Sequence, residues 1–249
     1  MPTYQADAIV LHRLDYGDAD RILTLLTREH GKLAAIAKGA RRSKTRVGSS
    51  LDLFGRSRMM LAKGKNLDVV AQVERRGDVR NIAGDLRRTA YACLVSEIAD
   101  KVLEDRHPMD DVFELVAGTL DRLNDPGRSA RADTAWFIMR MLDLLGYTPQ
   151  LMDCAGCSKP LPEADAWFSP LLGGVLCRTC GGHDQAGSPV SVNSLKVLRV
   201  MAGDQGELYD RLRLPDPVLD QVKQALEAQL EYHLDRRLKS LDFLRSVRG

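Results

Sequence analysis

The period of the hydrophobic pattern changes near Gly84. Before this point short apolar runs tend to alternate with polar residues, most clearly over residues 66–75, whereas after it apolar residues recur every three or four positions. Alternation is typical of half-buried strands, and the longer spacing is typical of amphipathic helices. The sequence therefore predicts an α+β protein, with a strand-rich domain over residues 1–80 and a helical domain over residues 81–249.

Five short strands are predicted in the first domain, over residues 4–14, 21–28, 31–39, 54–64 and 66–75. Polar or Gly-containing turns separate these strands, and none of them shows a helical period. A small closed barrel fits this pattern, and a five-stranded Greek-key barrel of the OB type is the preferred interpretation. An SH3-like barrel fits the same pattern.

Helices are predicted in the second domain, with Asp85 as the first N-cap. Further apolar stripes cover residues 112–123, 129–146 and 191–203. The last stripe runs from Asp216 to Leu241 and is rich in leucine, which predicts one helix of about seven turns.

Four of the five cysteines form two close pairs, Cys154/Cys157 and Cys177/Cys180, with 19 residues between the pairs. This spacing is typical of a four-cysteine zinc site, in which four thiolates complete the tetrahedron and leave no open position. We therefore predict one structural zinc ion in a knuckle at about residues 150–187. Unmetallated thiols or a redox CxxC motif are the alternatives, but a redox motif normally belongs to a thioredoxin-like unit that the sequence does not show. His183 is interpreted as a surface residue.

Positive charge is concentrated in the first domain, although the whole chain carries a net charge of only +2. Residues 1–80 contain 16 Lys and Arg against nine Asp and Glu, and residues 31–65 contain ten against one. Such clustering favours a phosphate-bearing partner over simple solvation. The predicted DNA-binding residues lie in a loop, on one strand face and at a turn: Lys38, Arg41, Arg42, Lys44, Arg46, Arg56, Arg58, Lys63 and Lys65.

Aromatic residues are scarce in the first domain, where Tyr4, Tyr16 and Phe54 are interpreted as core residues. Without a stacking platform, we expect binding through backbone phosphates, with weak sequence preference and with both single and double strands. No Walker A, HExxH, GxSxG or kinase motif is present, so the sequence gives no reason to expect an enzyme. The chain lacks a signal peptide and a long apolar run, which predicts a cytoplasmic protein that does not enter a membrane.

The segment LHRLDYGDADRILTLLTREHGKLAAIAKGARRSKTR, residues 11–46, resembles the opening of the RecO family of bacterial DNA-repair proteins. The order of barrel, helices and inserted knuckle is similar to that family, and so is the tail LDRRLKSLDFL at residues 234–244. The basic segment from Lys38 to Arg46 matches the family's basic loop, and the four cysteines match its zinc knuckle.

The resemblance implies a recombination mediator that is associated with the nucleoid. Such proteins bind single- and double-stranded DNA, anneal complementary strands without ATP, and act with RecR and SSB to help load RecA. A competing interpretation is a non-catalytic, zinc-containing scaffold whose barrel docks a partner protein.

Overall fold

The structure, a computed structural model, describes residues 2–42, 51–203 and 205–247. The chain forms two compact units. The first comprises Met1–Ala130 together with Leu238–Gly249, and the second comprises Arg131–Arg237. Within the described ranges, no helix has both the length and the apolar composition that a membrane span needs.

Five strands of the first unit close into a barrel in the order β1–β2–β3–β5–β4. Their bounds are β1 Thr3–Tyr16, β2 Asp20–Thr27, β3 Gly31–Ala37, β4 Arg56–Ala62 and β5 Asp68–Arg75. All neighbouring strands are antiparallel except β3 and β5, whose parallel pairing closes the barrel. This topology confirms the five-stranded OB-type barrel predicted from the sequence.

The interior of the barrel is filled by alternating residues of all five strands, many of them small. Leu23, Leu25, Ala35, Met59 and Leu61 are fully buried members of this core. Because neighbouring residues of a strand point to opposite sides, the residues between them lie on the outward face of the barrel.

Helices complete the first unit: α1 Arg80–Gly84, α2 Leu86–Val102, α3 Asp110–Asn124 and, from the far end of the chain, α9 Lys239–Ser246. The Asp85 carboxylate accepts hydrogen bonds from the amides of Arg87 and Arg88, which confirms the predicted N-cap. Glu97 of α2 accepts bonds from the amide of Ser240, at 2.7 Å, and from its hydroxyl. This carboxylate holds the start of α9 against α2.

The second unit combines helices with a small three-stranded sheet in the order β7–β6–β8. Its elements are α4 Ala130–Leu144, β6 Ala166–Ser169, β7 Gly174–Leu176, α5 Arg178–Gly181, β8 Ser188–Val190, α6 Val192–Ala202, α7 Gly206–Arg211 and α8 Asp216–Leu234.

The leucine stripe predicted as one helix is interrupted, so that prediction was wrong. Helix α8 ends at Leu234, and Asp235 follows with a left-handed backbone, φ 47° and ψ 32°. One left-handed residue ends a right-handed helix, and short polar residues such as Asp tolerate this conformation best after Gly and Asn. The remaining leucines of the stripe belong to the segment that begins α9.

Asp68 is a buried carboxylate at the start of β5 and is fully shielded from solvent. It accepts hydrogen bonds from the Tyr4 hydroxyl, from the Gly64 amide at 3.0 Å and from Arg106 Nη2 at 3.0 Å. Burial alone would raise its pKa, but these three donors outweigh burial and hold the pKa below its usual value of 3.8. Asp68 is therefore ionised in the folded protein.

We expect Asp68→Asn to lower the free energy of unfolding by about 1.5–3 kcal/mol, because the charged acceptor of three donors is lost. A lowered pKa stabilises the fold above the unfolded-state pKa, and this contribution is lost as the pH falls through the folded-state pKa. The difference in the free energy of unfolding between wild type and variant should thus be largest near pH 7 and should shrink in acid. Urea denaturation across a pH series measures this free energy.

Asp105→Asn is the matched control, since the Asp105 carboxylate is 80% exposed beside Lys32. We expect it to change the free energy of unfolding by less than about 1 kcal/mol. Equal effects of the two substitutions at pH 7 would contradict the role given to Asp68.

Candidate nucleic-acid interface and metal centre

Three of the predicted DNA-binding residues follow strand β3 directly and are exposed: Lys38, Arg41 and Arg42. Two more, Lys44 and Arg46, lie outside the described residues. The Gly39 amide donates a hydrogen bond to Asp20 Oδ1 at 2.8 Å, which ties the exit of β3 to the start of β2.

Arg41 lies against the turn that joins β1 to β2. Its amide donates to the carbonyl of Ala19 at 2.9 Å, and its Nη1 donates to the carbonyl of Gly17 at 3.1 Å. Its Nε lies 3.3 Å from Asp15 Oδ2. A hydrogen bond from Arg21 and the charge of Arg41 keep the pKa of Asp15 below its usual value. The exit of β3 and the β1–β2 turn therefore form one surface.

Arg56 and Arg58 share the outward face of β4, as the sequence indicated, but both are partnered there. Arg58 Nη1 lies 2.6 Å from Glu29 Oε1 and 3.5 Å from Asp7 Oδ1, and the bond to Glu29 raises the pKa of Arg58. Arg56 lies 3.7 Å from Asp7 and over the ring of Phe113 in α3, 5.5 Å from its centre. These carboxylates neutralise much of the positive charge on this face.

Lys63 and Lys65 are exposed in the turn between β4 and β5. Because β3 and β5 run parallel, with Ala35 beside Asp68, this turn lies near the beginning of β3. Lys38 follows the end of the same strand, so about 20 Å of strand separates the two groups of cations. The structure thus places the predicted residues at both ends of the barrel rather than in one continuous cluster.

Two arginines that the sequence prediction omitted, Arg13 and Arg80, line a cavity of about 330 Å³ in the first unit. Leu53, Phe54 and Ile82 form part of its apolar wall. Arg80 is paired with Asp78 at 2.9 Å. The sequence offered no signal for this proximity, since Arg13 and Arg80 are distant in the chain.

The aromatic residues of the barrel have different environments. Phe54 is buried, and Tyr4 is half-buried with its hydroxyl bonded to Asp68. Burial and Asp68 together raise the pKa of Tyr4 to about 12. Tyr16, however, is 55% exposed, so its interpretation as a core residue was wrong. It is the last residue of β1, which continues beyond the residues that line the barrel core.

The four paired cysteines converge in the second unit. Their sulfur atoms all lie within 4.8 Å of one another, and Cys157 Sγ lies 3.9 Å from Cys177 Sγ. A tetrahedral ion with metal–sulfur bonds of 2.3 Å separates its sulfur ligands by about 3.8 Å. Four cysteines at these distances can hold a metal ion. His183 is exposed and lies outside this group of sulfurs.

Short backbone turns position the sulfurs. The Ser158 amide donates to the Cys154 carbonyl at 2.8 Å, and the Gly181 amide donates to the Cys177 carbonyl at 2.8 Å. A side chain at Gly156 would place its Cβ 3.3 Å from Cys180 Sγ, so a glycine lets the two turns approach closely.

The thiols of this group differ in acidity. Burial opposes ionisation of Cys154, but amides of the turns, among them that of Cys177 at 3.3 Å, donate to its sulfur and lower its pKa to about 6. Hydrogen bonds with Cys177 and Cys154 raise the pKa of Cys180 to about 12. Neighbouring thiolates repel one another, so a cation is needed for all four to ionise together.

Two sequence models of one family match the chain. The model described as Recombination protein O N terminal matches residues 1–77, and the one described as Recombination protein O C terminal matches residues 83–242.

The chain is also similar over nearly its whole length to proteins named DNA repair protein RecO. The protein of Roseiflexus sp. (strain RS-1) is 35% identical over 245 residues, which cover 98% of this chain and 86% of that protein. The protein of Symbiobacterium thermophilum is 34% identical, with coverage of 100% and 99%. The protein of Bifidobacterium adolescentis is 35% identical, with coverage of 98% and 100%.

We expect Cys177→Ser to reduce the metal content of the purified protein from about one ion per chain to a small fraction, because a serine hydroxyl does not ionise as a thiol does. The second unit should also melt at a lower temperature. Elemental analysis and a thermal melt measure the two effects. Cys93→Ser is the control, because Cys93 lies on α2 in the first unit. Full metal content in Cys177→Ser would show that these four sulfurs are not the binding site.

Proposed function

The chain belongs to the RecO family, and on this premise we propose that it acts in DNA repair and recombination as a mediator that binds DNA through its barrel. The family match over both parts of the chain is the observation that carries the proposal. The exposed cations at the two ends of the barrel support it, because they can neutralise phosphates of a bound strand.

We assign the principal phosphate contacts to the exposed cations at the ends of the barrel: Lys38, Arg41, Arg42, Lys63 and Lys65. Lys44 and Arg46 follow in the same basic segment and belong to the proposed contact set. Arg56 and Arg58 stay in the set as weaker contacts, since Asp7 and Glu29 compete with phosphate for them, and Asp15 competes in the same way for Arg41.

The proposed activity is annealing of complementary strands without ATP. Phosphates of two bare strands repel each other, and cations that bind one strand reduce this repulsion. Contacts limited to the backbone leave the Watson–Crick edges free to pair. No chemical step is required of the protein, so we propose that it is not an enzyme.

The proposed partners are single- and double-stranded DNA, RecR and SSB, with RecA acting indirectly, in the cytoplasm at the nucleoid. We assign DNA binding to residues 1–80 and place the helical domain, with its knuckle at about 150–187, in residues 81–249. The junction between the two family matches, between residues 77 and 83, supports this division.

Zinc is the metal we propose for the four cysteines. Zn²⁺ favours tetrahedral thiolate ligands, and the sulfur separations fit its bond lengths. Four protein ligands leave no place for a water molecule, so the ion would stabilise the fold of the knuckle without taking part in a reaction.

The triple variant Lys38→Ala/Arg41→Ala/Arg42→Ala should bind single-stranded DNA more weakly and with less dependence on salt. Three fewer phosphate contacts lower the slope of log K against log salt by about two. Fluorescence anisotropy of a labelled oligonucleotide over a salt series measures this slope. The control Lys101→Ala/Arg211→Ala/Arg213→Ala removes the same charge from exposed positions elsewhere and should keep the wild-type slope. If the wild-type protein does not bind single-stranded DNA even at low salt, this result would favour the protein-docking scaffold instead.

Wild-type protein should accelerate annealing of complementary oligonucleotides equally with and without ATP, and the triple variant should do so much less. A quenched-fluorophore assay follows duplex formation. Full annealing activity in the triple variant would mean that the activity belongs to other residues.

A further inference from the structure

One of the four paired cysteines, Cys177, lines a cavity in the second unit. The cavity has a volume of about 600 Å³, which is within the range of small-molecule sites. Leu161, Pro162 and Trp167 form part of its apolar wall, and Cys177 itself is half-buried. A small molecule that enters this cavity would therefore contact a residue of the cysteine group.

Two opposite charges line the same cavity. Arg178 follows Cys177 directly, is exposed, and forms no ion pair with another described residue. Asp165 is exposed and accepts a hydrogen bond from the Val192 amide at 2.9 Å through Oδ1. A free amino acid carries one carboxylate and one ammonium group near pH 7, so its charges complement this pair.

A second accessible sulfur lies beside Cys177. Cys157 is exposed, and its Sγ lies 3.9 Å from Cys177 Sγ. Cys154, by contrast, is only 1% exposed. The sulfurs of a disulfide lie about 2.05 Å apart, so a movement of about 2 Å between two short turns would join Cys157 to Cys177.

Thiol–disulfide exchange is the chemistry that this arrangement permits. A bound metal ion keeps cysteines in the thiolate form, which is the form that attacks a disulfide. In the first exchange, the Cys177 sulfur attacks one sulfur of a small disulfide, RSSR. A bond between Cys177 and SR forms, the bond between the two R-bearing sulfurs breaks, and RS⁻ leaves with the electron pair and takes a proton from water.

The second exchange takes place within the protein. The Cys157 thiolate attacks the Cys177 sulfur, the bond from Cys177 to SR breaks, and a second RS⁻ leaves and is protonated. Two cysteine thiolates are thereby oxidised to one disulfide, and RSSR is reduced to two thiols, so the electrons balance.

Oxidation would leave only Cys154 and Cys180 as thiols of the group. Two thiolates do not complete a tetrahedral site, so the chain would release its metal ion. The loss would reach the small sheet as well. A Cβ at Gly181 would lie 2.6 Å from Trp167 Cγ, so the residue next to Cys180 packs against the middle of β6.

We propose that Cys177 is a redox modification site at which a small amino-acid disulfide, such as cystine, binds in the cavity and oxidises Cys157 and Cys177 to a disulfide. The reaction would convert the metal-bound knuckle into a metal-free one. The released ion rests on the metal proposed above, whereas the exchange itself requires only the sulfurs and the cavity. DNA binding by the barrel does not enter the proposal.

The experiment treats the purified full chain with cystine and, separately, with hydroxyethyl disulfide, which has the same sulfur–sulfur bond but no charged group. Mass spectrometry of peptides identifies the cysteine that carries the first adduct, and a metal-binding dye follows ion release. Cystine should add to Cys177 first. The disulfide between Cys157 and Cys177 should then form, with release of about one ion per chain, and a reducing agent should reverse it.

Two variants separate the chemical step from binding in the cavity. Cys157→Ser should stop the reaction at the mixed disulfide on Cys177, because the second attacking sulfur is missing. Arg178→Ala keeps all four cysteines and should keep the metal content and the thermal melt. Its rate with cystine, divided by its rate with hydroxyethyl disulfide, should fall about threefold, since one exposed charge contact is lost. The control Arg213→Ala removes an exposed arginine elsewhere in the second unit and should keep the wild-type ratio.

Two results would overturn the inference. A first adduct on any cysteine other than Cys177 would show that the attacking sulfur is wrongly assigned. A wild-type ratio of rates in Arg178→Ala would show that the cavity does not bind the disulfide. Metal content and DNA affinity are measured on the same protein before the reaction, so a failure of the proposed zinc or of the proposed DNA binding is seen separately.

Discussion

The barrel depends on one short closure, the parallel pairing of β3 with β5. Only Ala35 with Asp68 and Ile36 with Val69 are registered partners there, so few backbone hydrogen bonds hold the two strands together. The buried carboxylate of Asp68 strengthens this point, because its donors come from β1, from the β4–β5 turn and from the segment after α2.

The β4–β5 turn must be tight for this arrangement. A Cβ at Gly64 would lie 1.9 Å from the carbonyl oxygen of Leu67, so only glycine allows the amide of this residue to reach Asp68. Closure also places Val69 beside Ile36. One buried charge thus supports the closure of the barrel.

The basic residues of the barrel divide into two groups by their place in the fold. Arg28 and Arg56 lie over the ring of Phe113, so they link the barrel to α3. Arg58 binds Glu29, so it links β4 to the turn between β2 and β3. The cations at the strand ends project from turns. A count of charges treats all of these residues alike, although Arg41, Arg56 and Arg58 have carboxylate partners and such arginines attract phosphate much less. The group of four cysteines in the second unit likewise depends on packing, because its sulfurs converge only when two turns meet.

Local pattern in the sequence determined the strands of the barrel, most helices and the two CxxC motifs. Strand period, capping residues and CxxC spacing all act over a few neighbouring residues. It did not determine where the leucine stripe breaks, since the left-handed conformation of Asp235 carries no periodic signal. Only tertiary structure decided that Tyr16 is exposed, that Arg56 and Arg58 have carboxylate partners, and that Lys38 and Lys63 lie at opposite ends of the barrel. Those properties depend on strand register and on contacts between residues far apart in the chain, and such contacts are fixed only when the barrel closes.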